Sequence, residues 1–265
     1  MTKKDVTESP WTDWRKVTPA RLALGRAGAG MPTDEVLRFG WAHAMARDAI
    51  HAALDVPKLD KELRAQGWTV AHVQSRAPDR TTYLRRPDLG RVIAPGDIAR
   101  LHAEPIVRSE VCIVIGDGLS SLAVERHAAP LLAALKPLLA DELRQAPVVI
   151  ATQARVALAD EIAELLQAKL SIMLIGERPG LSSPDSLGIY ITHAPFRGRS
   201  DANRNCISNV RPEGLSYAAA AFKLAWLVRE ALTRQLTGIE LKDASDLALL
   251  KTKAASQISG NAARE

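Results

Sequence analysis

The stretch VCIVIGDGLSS (111–121) decides the fold class of this sequence. Its short, β-branched and nearly continuous apolar run is typical of a strand covered on both faces, and two glycines lead from it into a helix-like segment. Three further runs of this kind are VVIATQ (148–153), LSIMLIGE (170–177) and LGIYITH (187–193). Because helix-like segments separate the first three runs, the pattern predicts an α/β fold with a Rossmann-like parallel sheet and right-handed crossovers.

The residues before the sheet predict a mainly helical region over 18–108, preceded by an extended arm over 1–17. Thr18 and Thr33 both stand before helix-forming residues, so each is expected to begin a helix. The second helix would run for about 20 residues and present one apolar face. That face consists of Val36, Leu37, Trp41, Ala44, Met45, Ala49 and Ala52. A further helix is expected from Pro95 to about His102.

The sheet domain is expected to span residues 109–240. It closes with a strong helix from about Gly214 to Leu236, for which Gly238 is the natural stop. The remaining residues, 241–265, read as a polar C-terminal tail to which the sequence assigns no role.

Composition and charge exclude several classes of protein. The chain has 265 residues and a formal net charge of +5, and its basic excess lies in the first 108 residues. Two cysteines cannot build a disulfide framework, and no apolar stretch approaches the roughly 18 residues of a membrane helix. The basic segment YLRRPDLGR (83–91) has few interleaved aromatics, so a loop that docks against another protein explains it better than a nucleic-acid site. We therefore expect a soluble, cytoplasmic protein that binds neither nucleic acid nor membrane.

Polar segments follow three of the predicted strands: GDGLSS (116–121), TQARV (152–156) and GERPG (176–180). Parallel sheets bind ligands beyond the carboxyl ends of their strands, so the ligand is expected at this edge. GDGLSS matches two thirds of a dinucleotide fingerprint, but VVIATQ lacks the acidic residue that would hold a ribose. Glycines that only permit a tight turn explain the segment equally well.

The single polar residues leave alternatives open. Arg155 and Glu177 stand at strand ends, where a structural ion pair between them competes with ligand binding. Cys206 has no histidine or second cysteine in its segment, which favours a contact residue over a nucleophile or metal ligand. His43 and His51 lie two helical turns apart, which favours a solvated or interface face over a metal site.

Six motifs follow one another along the chain: TPARLALGRAG (18–28), RD (47–48), YLRRPDLGR (83–91), DGLS (117–120), GERPGL (176–181) and CISN (206–209). In this order they resemble the small (light) subunit family of ethanolamine ammonia-lyase over about residues 18–240. The most specific pair is GERPGL followed by CISN.

The resemblance implies an activity, a cofactor and a partner. The family's enzyme converts ethanolamine to acetaldehyde and ammonia with adenosylcobalamin, and its TIM-barrel large subunit carries the substrate chemistry. The small subunit supplies a Rossmann-like face that closes over the cobalamin at the subunit interface. Carried over by motif, the cofactor contacts fall on Val156, Glu177 and Cys206, with Arg155 beside Val156. No residue of this chain is expected to be catalytic or to bind the metal.

Two other functions remain open from the residues. A free-standing nucleotide-binding oxidoreductase would bind a nicotinamide dinucleotide, and a non-catalytic assembly protein would dock through its basic N-terminal half. Some members of the resembled family carry a long N-terminal extension associated with packaging into a protein microcompartment. Only about 17 residues precede the first motif here, so encapsulation is not expected.

Overall fold

The computed structural model describes residues 6–103 and 108–247. They form a six-stranded sheet with helices on both faces. The strands are β1 (Val70–Gln74), β2 (Val111–Gly116), β3 (Val148–Thr152), β4 (Leu170–Gly176), β5 (Leu187–His193) and β6 (Arg204–Val210). Their order across the sheet is β1-β3-β2-β4-β5-β6.

The main α-helices of the described residues are α1 (Thr33–His51), α2 (Val56–Ala65), α3 (Arg80–Arg85), α4 (Pro95–Ala103), α5 (Ser121–Leu135), α6 (Leu158–Leu165) and α7 (Tyr217–Arg234). Two serines begin the longest helices over the sheet: Ser120 accepts a hydrogen bond from the first turn of α5, and Ser216 does the same for α7. The helix expected at 214–236 is therefore present in slightly shorter form. It ends at Gln235, which takes a left-handed conformation.

The α/β class is confirmed, but the expectation of a parallel sheet is wrong in part, because the sheet is mixed. Strands β1, β3, β2 and β4 run parallel, whereas β5 is antiparallel to β4 and β6 is antiparallel to β5. The connection 177–186 between β4 and β5 is shorter than the dozen or so residues that a parallel crossover needs. The chain therefore turns back beside β4, and this short spacing was a signal readable in the sequence.

Two strands lie where no strand was expected. β1 falls inside the region expected to be mainly helical and pairs with β3, and β6 covers the RNCISN segment. Both are edge strands of the sheet. An edge strand is only partly covered, so β6 mixes buried and exposed residues and lacks the continuous apolar run by which the other strands were recognised.

The N-terminal segment differs from its prediction. A 3-10 helix (Thr12–Lys16) lies in the expected extended arm, and no helix begins at Thr18. Instead Thr7 pairs with Arg26, and Gly28 takes a positive φ of 60° that ends any regular helical path through GRAGAG. The first long helix is α1, which begins at Thr33 as predicted.

The expected apolar face of α1 is largely uncovered by the other described residues. Val36, Leu37 and Trp41 are exposed, with 71% of Trp41 accessible, whereas Ala46 and Ala49 are buried. This helix thus places large apolar side chains at the surface.

The apolar core has two layers, one on each face of the sheet. One layer joins the sheet to α2, α5 and α7, and the other joins it to α4 and α6. Cys112 is buried in the second layer, where it packs as a small apolar residue as expected. Helix α6 packs against β2 and β4, so it leaves the same side of β5 and β6 partly uncovered. We call this surface, with Tyr190, Cys206 and Ser208, the open face.

Candidate functional site

The turn after β2 is packed against the end of β4. Leu119 N–H donates to the Gly176 carbonyl at 2.9 Å. A Cβ on Gly118 would lie 2.6 Å from Ile175 Cγ1, and a Cβ on Gly176 would lie 2.7 Å from the Asp117 carbonyl oxygen. The glycines of GDGLSS therefore serve close backbone approach between two turns, and this packing explains them without a dinucleotide.

The polar side chains of GDGLSS are also committed within the chain. Asp117 accepts backbone N–H groups of Gln153 and Ala154, both at 2.9 Å, which joins the turn after β2 to the turn after β3. Burial raises the pKa of the Asp117 carboxyl, and the two backbone donors oppose that shift. Ser120 donates to the Pro184 carbonyl and Ser121 to the Ala52 carbonyl. The segment is structural rather than a ligand cradle.

Arg155 does not pair with Glu177. Its guanidinium lies 4.3 Å from the ring centroid of Tyr83, and Arg80 lies over the same ring at 4.8 Å. Arg155 Nη2 also donates to the Tyr83 carbonyl at 3.2 Å, and its backbone N–H donates to Gly90. The 83–91 segment thus docks on its own chain through the fully buried Tyr83, and it fixes the loop that leads to Val156.

Glu177 connects three strands at the edge of the sheet. Its carboxylate accepts the Ser208 hydroxyl at 2.5 Å, the Ser186 hydroxyl, and the Asn209 backbone N–H at 3.3 Å. Gly188 makes this possible, because a Cβ there would lie 3.0 Å from Glu177 Oε1. The missing side chain lets Glu177 cross β5 and reach β6.

Cys206 lies within β6 and not at a strand end, which corrects the position expected from the sequence. Alternation along β6 places Cys206 on the same face as Arg204. Ser208 lies where the register is irregular, and its hydroxyl reaches Glu177, which also lies near Cys206. Cys206 is exposed and is the register partner of Tyr190 on β5. Partial burial and the nearby Glu177 carboxylate raise the pKa of the Cys206 thiol, which disfavours the nucleophilic thiolate.

Val156 lies at the start of α6, on the same side of the sheet. Val156 and Tyr190 are half-buried and pack against the same core layer. Cys206 thus lies on the open face, Glu177 stands at its border at the end of β4, and Val156 lies on the same side of the sheet at the start of α6.

The sequence comparisons give one consistent result. The family model of the ethanolamine ammonia-lyase light chain matches residues 8–242. The small subunit of this enzyme from Azotobacter vinelandii is 54% identical over 252 residues, covering 94% of this chain and 93% of the relative. Those from Ralstonia nicotianae and Pseudomonas putida are 52% and 49% identical, and each covers at least 94% of both chains. The chain belongs to the ethanolamine ammonia-lyase light-chain family.

Sequence reasoning missed three side chains of the open face and its border. Tyr190 and Ser208 stand on the face, and Ser186 holds Glu177 at its border. Burial raises the pKa of Tyr190 to about 12, so its hydroxyl stays protonated and can donate or accept a hydrogen bond. Tyr190 and Ser186 lie in or next to the predicted strand 187–193, but their meeting with Glu177 and Cys206 depends on the antiparallel return of β5.

The remaining candidate residues of this chain lie away from the open face. His43 and His51 are exposed on α1, as a solvated or interface face requires. Among the residues that the structure describes, no group of three His, Cys, Asp or Glu side chains is placed to hold a metal ion. No helix in the described part of the chain has the length and apolarity to cross a membrane. Most of the polar tail lies outside the described residues.

Proposed function

We propose that this chain is the small subunit of an adenosylcobalamin-dependent ethanolamine ammonia-lyase, which converts ethanolamine to acetaldehyde and ammonia. In this proposal its open face forms part of the cobalamin-binding surface, and the large subunit carries the substrate chemistry. The observation that carries the proposal is that Glu177 and Cys206, which are distant in the sequence, come together at one open face, with Val156 on the same side of the sheet. The small-subunit names of the relatives support the role in a two-subunit enzyme.

The open face suits a cobalamin by its shape and its chemistry. A corrin ring is wide and carries amide side arms, so it requires a broad surface with distributed hydrogen-bonding groups. The face offers the hydroxyls of Tyr190 and Ser208 and the thiol of Cys206. Glu177 accepts three hydrogen bonds within the chain, which leaves about one of the four acceptor sites of a carboxylate for an amide N–H.

The titratable groups of the open face are suited to binding rather than to proton transfer. Glu177 is held by three donors, and the pKa values of Cys206 and Tyr190 are raised. When bound, the cofactor supplies the radical chemistry, while the protein supplies orientation and a dry surface. The residues of this chain would hold and orient one side of the cofactor, and the partner subunit would complete the site.

The large subunit has a candidate docking surface on the N-terminal part of this chain. Most of the large apolar side chains that are exposed in the described residues lie between residues 11 and 41. They are Trp11, Trp14, Val17, Met31, Val36, Leu37, Phe39 and Trp41. Clustered exposed aromatic and Met side chains are typical of protein interfaces. Arg21 Nη2 donates to the Leu181 carbonyl at 3.2 Å, so this surface adjoins the loop that begins with Glu177.

Reconstitution tests the proposal. The chain is co-expressed with a candidate large subunit, and aldehyde production from ethanolamine is measured with each chain or adenosylcobalamin omitted in turn. We expect activity only when all three components are present. Aldehyde production by this chain alone, or by an assembled complex without cobalamin, would overturn the proposal.

A substitution on the open face sharpens the test. Glu177→Gln keeps the shape but turns an amide donor toward groups that donate, which costs about 1–3 kcal/mol for a desolvated mismatch. The cofactor concentration at half-saturation should therefore rise by about ten- to a hundredfold. Glu142→Gln, at an exposed position outside the site, is the matched control. An unchanged half-saturation in an assembled Glu177→Gln complex would remove Glu177 from the cofactor surface.

A further inference from the structure

The loop 177–186, which joins β4 to β5, is closed on itself by backbone hydrogen bonds. Glu177 N–H donates to the Ser186 carbonyl at 2.9 Å, and Gly180 and Ser183 exchange two bonds at 3.0 and 3.2 Å. The Ser186 hydroxyl donates to the Glu177 carboxylate. The two ends of the loop therefore fix each other, and the orientation of Glu177 depends on where Ser186 is held.

Helix α5 holds the end of this loop next to Ser186. Ser120, which caps α5, donates its hydroxyl to the Pro184 carbonyl at 2.8 Å. Arg126 Nη1 on α5 donates to the Asp185 carboxylate at 2.7 Å. The Arg126 side chain is 53% exposed, whereas the Asp185 side chain is only 13% exposed. The carboxylate is therefore mostly shielded from water, although the arginine is not.

His127 faces Asp185 from the buried side. Its Nε2 lies 3.5 Å from the Asp185 carboxylate, and its Nδ1 lies 2.8 Å from the Tyr217 hydroxyl on α7. Burial raises the pKa of Asp185, but the hydrogen bond from Arg126 and the positive charge of that guanidinium oppose the shift, and the pKa of Asp185 lies below its ordinary value. An ionised Asp185 favours the tautomer with Nε2–H toward the carboxylate and Nδ1 accepting from Tyr217.

We propose that Asp185 is a positioning residue for the cofactor surface, which acts through Ser186 to hold Glu177 in its ligand-facing orientation. The inference rests on the function proposed above, since it concerns how that surface is organised. Asp185 lies near the end of the loop with its carboxylate between Arg126 and His127, and it is linked to Glu177 through its sequence neighbour Ser186. Its role is to transmit the rigid packing of α5 and α7 to the Glu177 carboxylate.

The test is Asp185→Asn, which keeps the size of the side chain and removes its charge. Hydrogen exchange of the full chain should accelerate in peptides covering 177–186 by about tenfold, because the loop opens more readily. In the reconstituted complex, cofactor half-saturation should rise by about tenfold while turnover at saturating cofactor is unchanged, since binding rather than chemistry is affected. Asp141→Asn, which breaks an exposed Asp–Arg pair outside the loop, should change neither.

A double substitution tests the route through Ser186. If Asp185 acts through Ser186, then Asp185→Asn combined with Ser186→Ala should be no worse for cofactor half-saturation than the more damaging single change. Additive effects, or unchanged exchange at 177–186 in Asp185→Asn, would overturn the inference. A wild-type complex without lyase activity would instead overturn the proposed function, and the exchange experiment would still decide whether Asp185 holds the loop.

Discussion

Replacing Gly118 with alanine tests whether the turn after β2 is closed against β4. Gly118 has a φ of 58°, which L-residues rarely adopt. A Cβ at this position would lie 2.6 Å from Ile175 Cγ1 and 2.9 Å from the Gly176 nitrogen. The substitution thus adds backbone strain and a steric overlap at one site, and the two effects can be separated with other glycines of this chain.

The expected cost follows from these two effects. The left-handed conformation costs an L-residue about 1–2 kcal/mol, and overpacking against a backbone that cannot move aside costs about 1–3 kcal/mol. Gly118→Ala should therefore lower the free energy of unfolding by about 2–5 kcal/mol. This is a large fraction of the total free energy of unfolding of an ordinary domain, about 5–15 kcal/mol. Gly176 lies on the β4 side of the same contact and has no positive φ. Gly176→Ala should therefore show only the cost of the steric overlap.

Two further glycines supply matched controls. Gly28 has a φ of 60° and nothing within 4 Å of a built Cβ, so Gly28→Ala should show only the strain. Gly96, in the first turn of α4, has neither feature, so Gly96→Ala should be neutral or slightly stabilising. The assay is urea unfolding of the purified chain, followed by tryptophan fluorescence and far-UV circular dichroism, with the midpoints compared at constant m.

The losses of unfolding free energy in Gly118→Ala and Gly28→Ala together decide whether the turn after β2 is packed against β4. A difference of about 1 kcal/mol or more between them is the steric contribution of the closed turn. If Gly118→Ala costs no more than Gly28→Ala, the two turns are not in contact as described. In that case the structural explanation of the GDGLSS glycines fails as well.

Three other predictions follow from the described contacts. Arg204→Met leaves the buried Asp160 carboxylate without the guanidinium that lies 2.7 Å away, and should lower the free energy of unfolding, measured in urea, by about 3–5 kcal/mol. Asp201→Asn removes an exposed partner of the same arginine and should lower it by less than about 0.5 kcal/mol. Burial lowers the pKa of His127, so the unfolded chain binds its proton more readily and stability should fall as pH decreases through about 6.5. His127→Gln should remove the contribution of His127 to the change of unfolding free energy with pH. Because His193 also titrates, this contribution is measured as the difference between the variant and the wild type, and an identical pH dependence in both proteins would contradict the prediction. Cys206→Ser should keep most of the turnover at saturating cofactor and raise only the cofactor concentration at half-saturation. If turnover collapses in a complex that size-exclusion chromatography shows to be intact, Cys206 does more than contact its ligand.

The sequence by itself determined the α/β class and the parallel centre of the sheet. Runs such as VCIVIG and LSIMLIG are apolar throughout because both of their faces are covered, and this information lies within each run. The signals for helices are also contained in short stretches of sequence, such as the capping residue Ser120 before α5 and the helical periodicity of α7. Short-range chemistry is sufficient for these elements, so they could be predicted without knowledge of the fold.

The tertiary structure alone decided the edges of the sheet and the arrangement of the candidate site. β6 reads as polar because only one of its faces is covered, and Cys206 therefore lies within a strand that periodicity did not reveal. Arg155 stacks on Tyr83 instead of pairing with Glu177, because the 83–91 segment folds back over the turn after β3. Glu177 meets Ser208 only because β5 returns antiparallel and Gly188 leaves space for the carboxylate to cross it. These contacts join residues far apart in the chain, and no local pattern encodes the distance between them.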